Sequence, residues 1–252
     1  MKIALIYFGQ PRWINNPHCL ETQQRNIFSQ GDVDVFAHLW AYKAEDYSSS
    51  SWSNMPSCPS TPNDISTFIK NYNPVSYKTE IDPGFSSPEI LYAINHRTPE
   101  TAAYGGIVTE RNFNICLSHL YSLEKAIEVF EYYVEQHKVE YDFVIFMRTD
   151  LCIWEFPKLN ELQKGYFYFS SLFHSDHFAD LCYITDQRFV CGLKAYSYLT
   201  DPSQEIVKNL TMGNAEQIKR LTFLKQFNKE VLRQVPIPVR VVRGPNDIGR
   251  QW

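Results

Sequence analysis

The run IALIYF at residues 3–8 decides the fold together with a second run, FVIFM at Phe143–Met147. Both runs are short and apolar at nearly every position, which is typical of strands buried on both faces of a parallel sheet. Gly9 follows the first run and Arg148 follows the second. The sequence therefore predicts two central strands, each of which ends in a polar loop.

Alternating strands and helices are predicted around these two runs. Residues 110–136 form the best predicted helix, because apolar residues recur there along one stripe, with Ser118, Ser122 and Lys125 on a face that points elsewhere. Further helices are predicted over residues 16–29, 65–71, part of 186–199 and 215–232, and further strands over residues 33–39, 75–79, 166–169, 181–184 and 239–242. This alternation indicates one α/β domain over residues 1–252. The Ser- and Pro-rich stretch within residues 44–62 is predicted to be a flexible surface loop.

The composition narrows the function classes. The chain has 252 residues, of which 44% are hydrophobic and 15% aromatic, so it can bury a sizeable core. The net charge of −4 argues against a nucleic-acid partner.

The cysteines and the apolar stretches indicate the compartment. The 6 cysteines contain no CxxC pair and are predicted to be free thiols, most of them buried, in a reducing compartment. No apolar stretch approaches the roughly 20 residues that cross a bilayer, so we expect no transmembrane segment and a cytoplasmic protein. The oligomeric state stays open.

The two strand-end loops are the candidate site. In open α/β sheets, ligands bind beyond the carboxyl ends of the strands, which here indicates residues 9–12 and 148–150. A departing diphosphate can be stabilised by a divalent cation on carboxylates or by basic side chains. Asp150 suits Mg²⁺ or Mn²⁺, and Arg148 points the same way on an extended chain and suits a phosphate. The alternatives are a structural Arg148–Asp150 pair and an ordinary turn at residues 9–12.

A catalytic base is required if the reaction is an inverting transfer to a hydroxyl group. Asp186 is the first candidate because it directly follows a predicted strand, and its alternative role is the N-cap of the next helix. Asp176, within HSDH at residues 174–177, is the second, with a plain polar loop as the alternative. His38, near the end of the second predicted strand, is predicted to be a core histidine with satisfied hydrogen bonds.

Several stretches carry a family resemblance. They are IALIYFGQPRW at residues 3–13, DVFAHLW at 34–40, SHLYSLEKA at 118–126, YDFVIFMRTDL at 141–151 and DQRFVCG at 186–192. Together, in this order, they resemble a group of GT-A-type glycosyltransferases of polysaccharide biosynthesis. The resemblance implies an α/β, GT-A-like (Rossmann-like) fold with a mixed, mostly parallel central sheet flanked by helices.

The same resemblance implies the chemistry. It implies a hexosyl- or pentosyltransferase that uses Mn²⁺ or Mg²⁺. The enzyme would move a sugar from a nucleotide-diphosphate donor, which we expect to be a UDP-sugar, to a glycan acceptor. It places four residues in the nucleotide pocket: Gly9, Gln10, Arg12 and Ser118. It makes Asp150 the metal ligand that ends a DxD-like motif. Arg148 stands where the first Asp of that motif is expected, which raises the alternative that arginine replaces part of the cation's charge.

Two other functions remain as alternatives. The first is a catalytically inactive module of the same fold that binds a nucleotide or a glycan. The second is a nucleotidyltransferase that forms nucleotide sugars. It ranks last because no Gly-rich phosphate loop followed by Lys or Arg lies near the first strand.

Overall fold

The computed structural model describes residues 1–41, 62–88, 91, 110–170, 178, 182–199, 215–242 and 250–251. The described strands are β1 Lys2–Gly9, β2 Asp32–Ala41, β3 Ser76–Ile81, β4 Phe143–Met147, β5 Leu151–Ile153, β6 Phe167–Ser170, β7 Cys182–Thr185, β8 Leu232–Val235, β9 Val239–Val241 and β10 Arg250–Gln251. The described α-helices are α1 Pro17–Asn26, α2 Pro62–Tyr72, α3 Glu110–His137, α4 Tyr196–Leu199 and α5 Ala215–Gln226. Short 3₁₀ helices occupy Phe28–Gln30, Leu159–Glu161, Gln187–Leu193 and Lys229–Val231.

Seven strands form the main sheet in the order β3-β2-β1-β4-β7-β6-β8. The pairs β3–β2, β2–β1, β1–β4 and β6–β8 are parallel, whereas β7 runs antiparallel to both β4 and β6. All strands of this sheet except β7 therefore run in one direction. The predicted mixed, mostly parallel sheet is confirmed.

Helices cover both faces of this sheet, as successive side chains of β1 show. Ala4, Ile6 and Phe8 pack with apolar residues of α3 and with Phe223 of α5. Ile3, Leu5 and Tyr7 face the other way and pack with Phe68 and Tyr72 of α2. Because both faces of β1 are covered, every side chain from Ile3 to Phe8 is buried, which explains the unbroken apolar run.

The strand order reverses between β1 and β4. From β1 the chain proceeds through α1 to β2 and then to β3 on one side, and it crosses to the other side of β1 only after α3. The loops that follow β1 and β4 therefore start from neighbouring strand ends. A reversal of this kind is a topological switch point, where open α/β sheets form the crevice that holds a ligand.

A small sheet of three antiparallel strands, in the order β10-β9-β5, begins directly after the β4 loop. Gln23 of α1 anchors it to the main sheet. The amide nitrogen of Gln23 donates to the Leu151 carbonyl at 2.7 Å, and its amide oxygen accepts from the hydroxyls of Tyr7 at 2.6 Å and Tyr72 at 3.0 Å. This fully buried amide fixes where the chain runs after Asp150.

Most of the predicted helices and strands begin and end within one to three residues of the observed ones. The exceptions have physical causes. The helix predicted over residues 215–232 ends at Gln226, because residues 232–235 pair with β6 as strand β8. Ser122 is fully buried instead of pointing away from the apolar stripe of α3. The predicted loop over residues 44–62 lies outside the described residues apart from Pro62, which starts α2.

The predictions about free cysteines and about membrane-spanning segments can be compared with the described residues. All five described cysteines are free thiols, four of them buried, as predicted, and Cys58 lies outside the described residues. Of the helices that the structure describes, none is long and apolar enough to cross a bilayer.

Candidate functional site

The loops after β1 and β4 lie side by side, as the strand pattern predicted. Tyr7 of β1 pairs in register with Met147 of β4, so both strands reach the same edge of the sheet at the same level. Beyond this edge the Thr149 hydroxyl donates to the carbonyl of Gln10 at 3.2 Å. Residues 9–12 and 148–150 thus form the two walls of the crevice at the switch point.

Gly9 starts the first wall with a backbone that few other residues adopt. Its φ of 96° lies in the region that favours glycine. No atom of the described residues lies within 4 Å of the position that a Cβ would take, so the backbone angle, and not crowding, explains the glycine. The Gly9 N–H donates to the hydroxyl oxygen of Ser122 on α3 at 2.7 Å, which fixes the peptide where the loop leaves the sheet.

Arg12 is held within the same loop by Gln10. The Arg12 Nε donates to the Gln10 side-chain oxygen at 2.6 Å, and the Arg12 N–H donates to the Gln10 carbonyl at 2.8 Å. The second bond closes a tight turn, and the first orients the guanidinium. Helix α1 starts shortly afterwards, capped by the Asn16 side chain, which accepts from the His18 N–H. Gln10 and Arg12 therefore act as one unit between β1 and α1.

Arg148 and Asp150 form a closed ion pair in the second wall. Arg148 Nε donates to Asp150 Oδ1 at 2.9 Å, and Arg148 Nη2 donates to Asp150 Oδ2 at 2.5 Å. The Asp150 side chain is 2% exposed and that of Arg148 is 22% exposed. The arginine therefore reaches solvent, while the carboxylate beneath it is buried and holds it in one orientation.

The described residues do not fit a resident Mg²⁺ or Mn²⁺ ion. These cations need carboxylate oxygens that can turn toward them, and each oxygen of Asp150 already accepts from Arg148. Within the described part of the chain, no group of three or more His, Cys, Asp or Glu side chains is arranged to hold a metal. Asp150 as a metal ligand stays a prediction, as does the alternative in which Arg148 supplies the positive charge; in this structure both Asp150 oxygens accept from Arg148.

Ser118 lies near this edge but serves another strand. Its hydroxyl donates to Asp82 Oδ2 at 2.8 Å, and Asp82 Oδ1 accepts from the Gly84 N–H at 2.8 Å. Asp82 directly follows β3, which is separated from β1 by β2. The predicted role of Ser118 in the nucleotide pocket stays a prediction, and its described contact orders the end of β3.

A chain of hydrogen-bonded side chains lies behind the first wall, and the sequence pattern did not predict it. His38 of β2 is fully buried, with its Nδ1 2.7 Å from the Ser122 hydroxyl and its Nε2 2.9 Å from Glu80 Oε2 on β3. Tyr121 also donates to Glu80 Oε2, at 3.2 Å. His38 was predicted to be a satisfied core histidine, and its ring is indeed fully bonded, but its bonds lead to the backbone of Gly9.

The protonation of this chain follows from its surroundings. Burial lowers the pKa of His38, although the Glu80 hydrogen bond works in the opposite direction. Desolvation raises the pKa of Glu80, but hydrogen bonds from Lys78 and His38 outweigh it and lower the pKa to about 2. At neutral pH the chain therefore contains a neutral imidazole and an ionised carboxylate.

A second buried basic group lies below the same edge. The Lys219 amine on α5 is 3.2 Å from Nε2 of His119 on α3 and lies 5.2 Å from the centre of the Tyr183 ring. His119 in turn packs edge-on against Phe8, the residue before Gly9, with ring centres 5.1 Å apart. Lys219 is fully buried, so its amine is not exposed at the surface of the crevice.

The structure does not bring Asp186 to the site. Asp186 directly follows β7, and because β7 is antiparallel, it lies at the opposite edge, beside Thr185, which pairs with Val144 near the start of β4. Its carboxylate caps the 3₁₀ helix at the Arg188 N–H and accepts from the Gly165 N–H at 3.0 Å. The expectation that this strand end faces the crevice was wrong, and the alternative as an N-cap is the observed one. Asp176 lies outside the described residues.

Comparisons with known proteins return glycosyltransferases of solved structure, the class that the sequence resembles. The glycosyltransferase GlyE of Streptococcus pneumoniae TIGR4 matches with 9% identity and a TM-score of 0.36 over 93% of this chain and 44% of its own. The galactosyltransferase LgtC, solved with donor and acceptor sugar analogues, matches with 8% identity and a TM-score of 0.43 over 93% and 73%. Mouse xyloside xylosyltransferase 1 matches with 8% identity and a TM-score of 0.38 over 93% and 85%.

These likenesses assign no donor, acceptor or catalytic residue to this chain, because the TM-scores are below 0.5 and the chain spans less than half the length of GlyE. No protein-family model matches the chain, and no curated protein sequence matches it. The chemistry proposed below therefore rests on the side chains of the site.

Proposed function

We propose that this chain is a glycosyltransferase that binds the diphosphate of a nucleotide-sugar donor in the crevice between the β1 and β4 loops. The observation that carries this proposal is the meeting of residues 9–12 and 148–150 at the switch point, with one arginine in each wall. Crevices at this position of an α/β sheet are where such folds hold nucleotides. The resemblance of the sequence to glycosyltransferases supports the same class.

The charge of the two walls suits a diphosphate. Arg12 and Arg148 contribute two positive charges and Asp150 one negative charge, so the two loops together carry a net charge of about +1. Guanidinium groups form paired, charge-assisted hydrogen bonds to phosphate oxygens. A guanidinium that is already held in place, as Arg148 is by Asp150, stabilises developing negative charge without reorganising.

The transfer step uses this arrangement as follows. The acceptor hydroxyl oxygen forms a bond to the anomeric carbon of the sugar, and the bond between that carbon and the diphosphate oxygen breaks. The diphosphate departs with the bonding electron pair and meets Arg12 and Arg148, while the hydroxyl proton passes to a base. Asp176 stays the proposed base for an inverting reaction, with Asp186 excluded from the crevice by its position.

The proposal extends to the donor, the transferred sugar and the acceptor of the reaction. We propose a UDP-sugar as the first donor to test, a hexose or pentose as the transferred group, and a glycan as the acceptor. We propose Mn²⁺ or Mg²⁺ only as an ion that enters the site bound to the donor, because both oxygens of Asp150 accept from Arg148 in this structure. The free cysteines favour a reducing compartment, for which we propose the cytoplasm.

A thermal-shift screen of nucleotides and nucleotide sugars tests this function. A ligand that binds the native state at 100 times its Kd stabilises the fold by about 2.7 kcal/mol, which raises the Tm by roughly 5–10 °C for a chain of this length. We expect such a rise for one nucleoside diphosphate and its sugars, and we expect it to persist in EDTA. Absence of a shift with every nucleotide would reject the donor site.

A donor-hydrolysis assay then separates the enzyme from a binding module. We expect the donor that shifts the Tm to be hydrolysed slowly without acceptor, at a rate that falls in the Arg148→Lys variant. Binding without any hydrolysis or transfer would favour the catalytically inactive alternative. A Tm shift that vanishes in EDTA and returns with Mn²⁺ would restore the metal to the site.

A further inference from the structure

A continuous chain of hydrogen bonds connects the donor loop to the outer strand of the sheet. The Gly9 N–H donates to Ser122 Oγ at 2.7 Å, Ser122 Oγ lies 2.7 Å from His38 Nδ1, and His38 Nε2 lies 2.9 Å from Glu80 Oε2. Ser122 and His38 are fully buried, so water does not compete for these bonds. The chain joins β1, α3, β2 and β3 and reaches the loop at its first residue.

The protonation states of Glu80 and His38 determine which atom donates and which accepts in each of these hydrogen bonds. Glu80 is ionised and only accepts, so His38 Nε2 carries the proton and donates to it. The neutral ring then accepts at Nδ1, so the Ser122 hydroxyl donates to the ring. The remaining lone pair of Ser122 Oγ faces the Gly9 N–H. Glu80 thus selects the tautomer in which His38 Nδ1 accepts the Ser122 proton at 2.7 Å, a shorter contact than the one to the His38 carbonyl at 3.2 Å.

We propose that His38 and Ser122 are positioning residues of the donor site, which hold Gly9 and thereby set the placement of Arg12 against Arg148. This inference rests on the proposed function, because it assigns a purpose to an arrangement around the same crevice. Glycine adopts a positive φ without strain, but its backbone is freer than that of other residues, so the hydrogen bond from its N–H restricts the start of the loop. Both side chains are fully buried and therefore out of reach of a donor in the crevice, so neither is a catalytic residue.

Two substitutions of His38 separate this role from simple core filling. The side-chain amide of Asn reaches the position of Nδ1, whereas that of Gln reaches the position of Nε2. His38→Asn therefore keeps an acceptor for Ser122 and loses the bond to Glu80. His38→Gln keeps a donor for Glu80 and loses the 2.7 Å bond between Ser122 and the ring, which leaves the Ser122 hydroxyl only the backbone carbonyl of residue 38 at 3.2 Å. A role in holding Gly9 predicts that the Asn variant retains function and the Gln variant does not.

The experiment measures UDP affinity and the exchange rate of the Gly9 amide by NMR in the full-length chain. We expect Ser122→Ala and His38→Gln to weaken UDP binding and accelerate Gly9 exchange, each by roughly tenfold, the value of one lost buried hydrogen bond. His38→Asn should stay within about threefold of wild type in both measurements.

Thr185→Val is the matched control. It removes another fully buried hydroxyl, which donates to the Asp186 carbonyl at 3.2 Å, at the opposite edge of the sheet. We expect it to change neither UDP affinity nor Gly9 exchange. Equal effects of the two His38 variants, or a wild-type Gly9 exchange rate in Ser122→Ala, would overturn the proposal.

The two measurements also separate this inference from the proposed function. Gly9 exchange needs no ligand, so it decides whether His38 and Ser122 hold Gly9 even if wild-type protein binds no UDP, whereas loss of UDP binding in wild type would reject the donor site itself. If His38→Gln does not fold, the comparison of Ser122→Ala with Thr185→Val carries the test, because both remove a single hydroxyl group.

Discussion

Replacing Arg148 with alanine is expected to lower both the stability of the fold and its affinity for a nucleotide-sugar donor. The substitution leaves Asp150, which is 2% exposed, as a buried carboxylate without its bidentate partner. Breaking a buried pair in this way costs about 3–5 kcal/mol, and the partial exposure of Arg148 favours the lower end of that range. The expected loss is a Tm drop of roughly 6–12 °C for a chain of this length.

The affinity loss has a separate cause. Hydrogen bonds to charged groups contribute about 1.5–3 kcal/mol, so the loss of the Arg148–phosphate contact should weaken donor binding by roughly 10- to 100-fold. Thermal melts and calorimetric titration with UDP measure the two effects independently. Wild-type donor affinity in an Arg148→Ala protein that is still folded would reduce the pair to a structural one.

The double variant Arg148→Ala/Asp150→Asn is the matched control. It removes the stranded charge together with its partner, so it should recover more than half of the lost stability while donor affinity stays low. Arg148→Lys keeps the charge without the paired N–H groups, and we expect it to lie between wild type and alanine in both measurements. Recovery of affinity in the double variant would show that the donor is not bound by Arg148.

Replacing Arg12 with alanine is expected to weaken donor binding without a large change in stability. Arg12 lies partly exposed in the first wall, where its Nε donates to Gln10, so no buried charge is stranded when it is removed. We expect a loss of affinity of roughly 10- to 100-fold and a change in unfolding free energy below about 1 kcal/mol.

Arg25→Ala is the control for charge. Arg25 is also on the α1 side of the sheet, but its side chain is 53% exposed and lies near Glu21 and the Trp154 ring. Its removal changes the net charge of the protein by the same amount. A similar affinity loss in both variants would indicate a general electrostatic effect instead of a contact at the crevice.

The central strands and their loops could be predicted from the sequence because burial on both faces imposes a recognisable pattern. The run FVIFM of β4 is buried at every position, and its end at Arg148 identified one wall of the crevice. The run of residues 3–8 did the same for Gly9 and Arg12. The expectation that the two loops meet depended on both strands being central and parallel, and the structure pairs β1 with β4 in parallel and brings the loops together.

Strand direction could not be predicted in the same way. The run CYIT of β7 is buried on both faces, and a buried run reads alike whether its strand is parallel or antiparallel. Asp186 was therefore assigned to the crevice edge, although β7 carries it to the other edge. The direction of β7 is set by its antiparallel pairing with β4 and with β6, the strand that precedes it in the chain, and neither pairing is visible in the apolar run itself.

The polar chain behind Gly9 was missed for a different reason. Ser122 lies on the helix face that the periodicity predicted to point away from the apolar stripe, and Glu80 lies on a strand whose other residues are largely exposed. Each residue alone is unremarkable, and only the folded sheet brings them to the two nitrogens of His38. The histidine between two apolar neighbours, Ala37 and Leu39, was the one available signal, because a buried imidazole requires partners at both nitrogens.

Backbone NMR of the labelled protein with saturating UDP shows whether a nucleoside diphosphate binds at the edge where β1 and β4 end. We expect UDP to shift the amide signals of Gly9, Gln10, Arg12 and residues 148–150. We expect unchanged signals at Gly165, Asp186 and Arg188, which lie at the opposite edge of the sheet. Shifts at the opposite edge with none at Gly9 or Arg148, or no shifts at all, would rule out a donor site between the β1 and β4 loops.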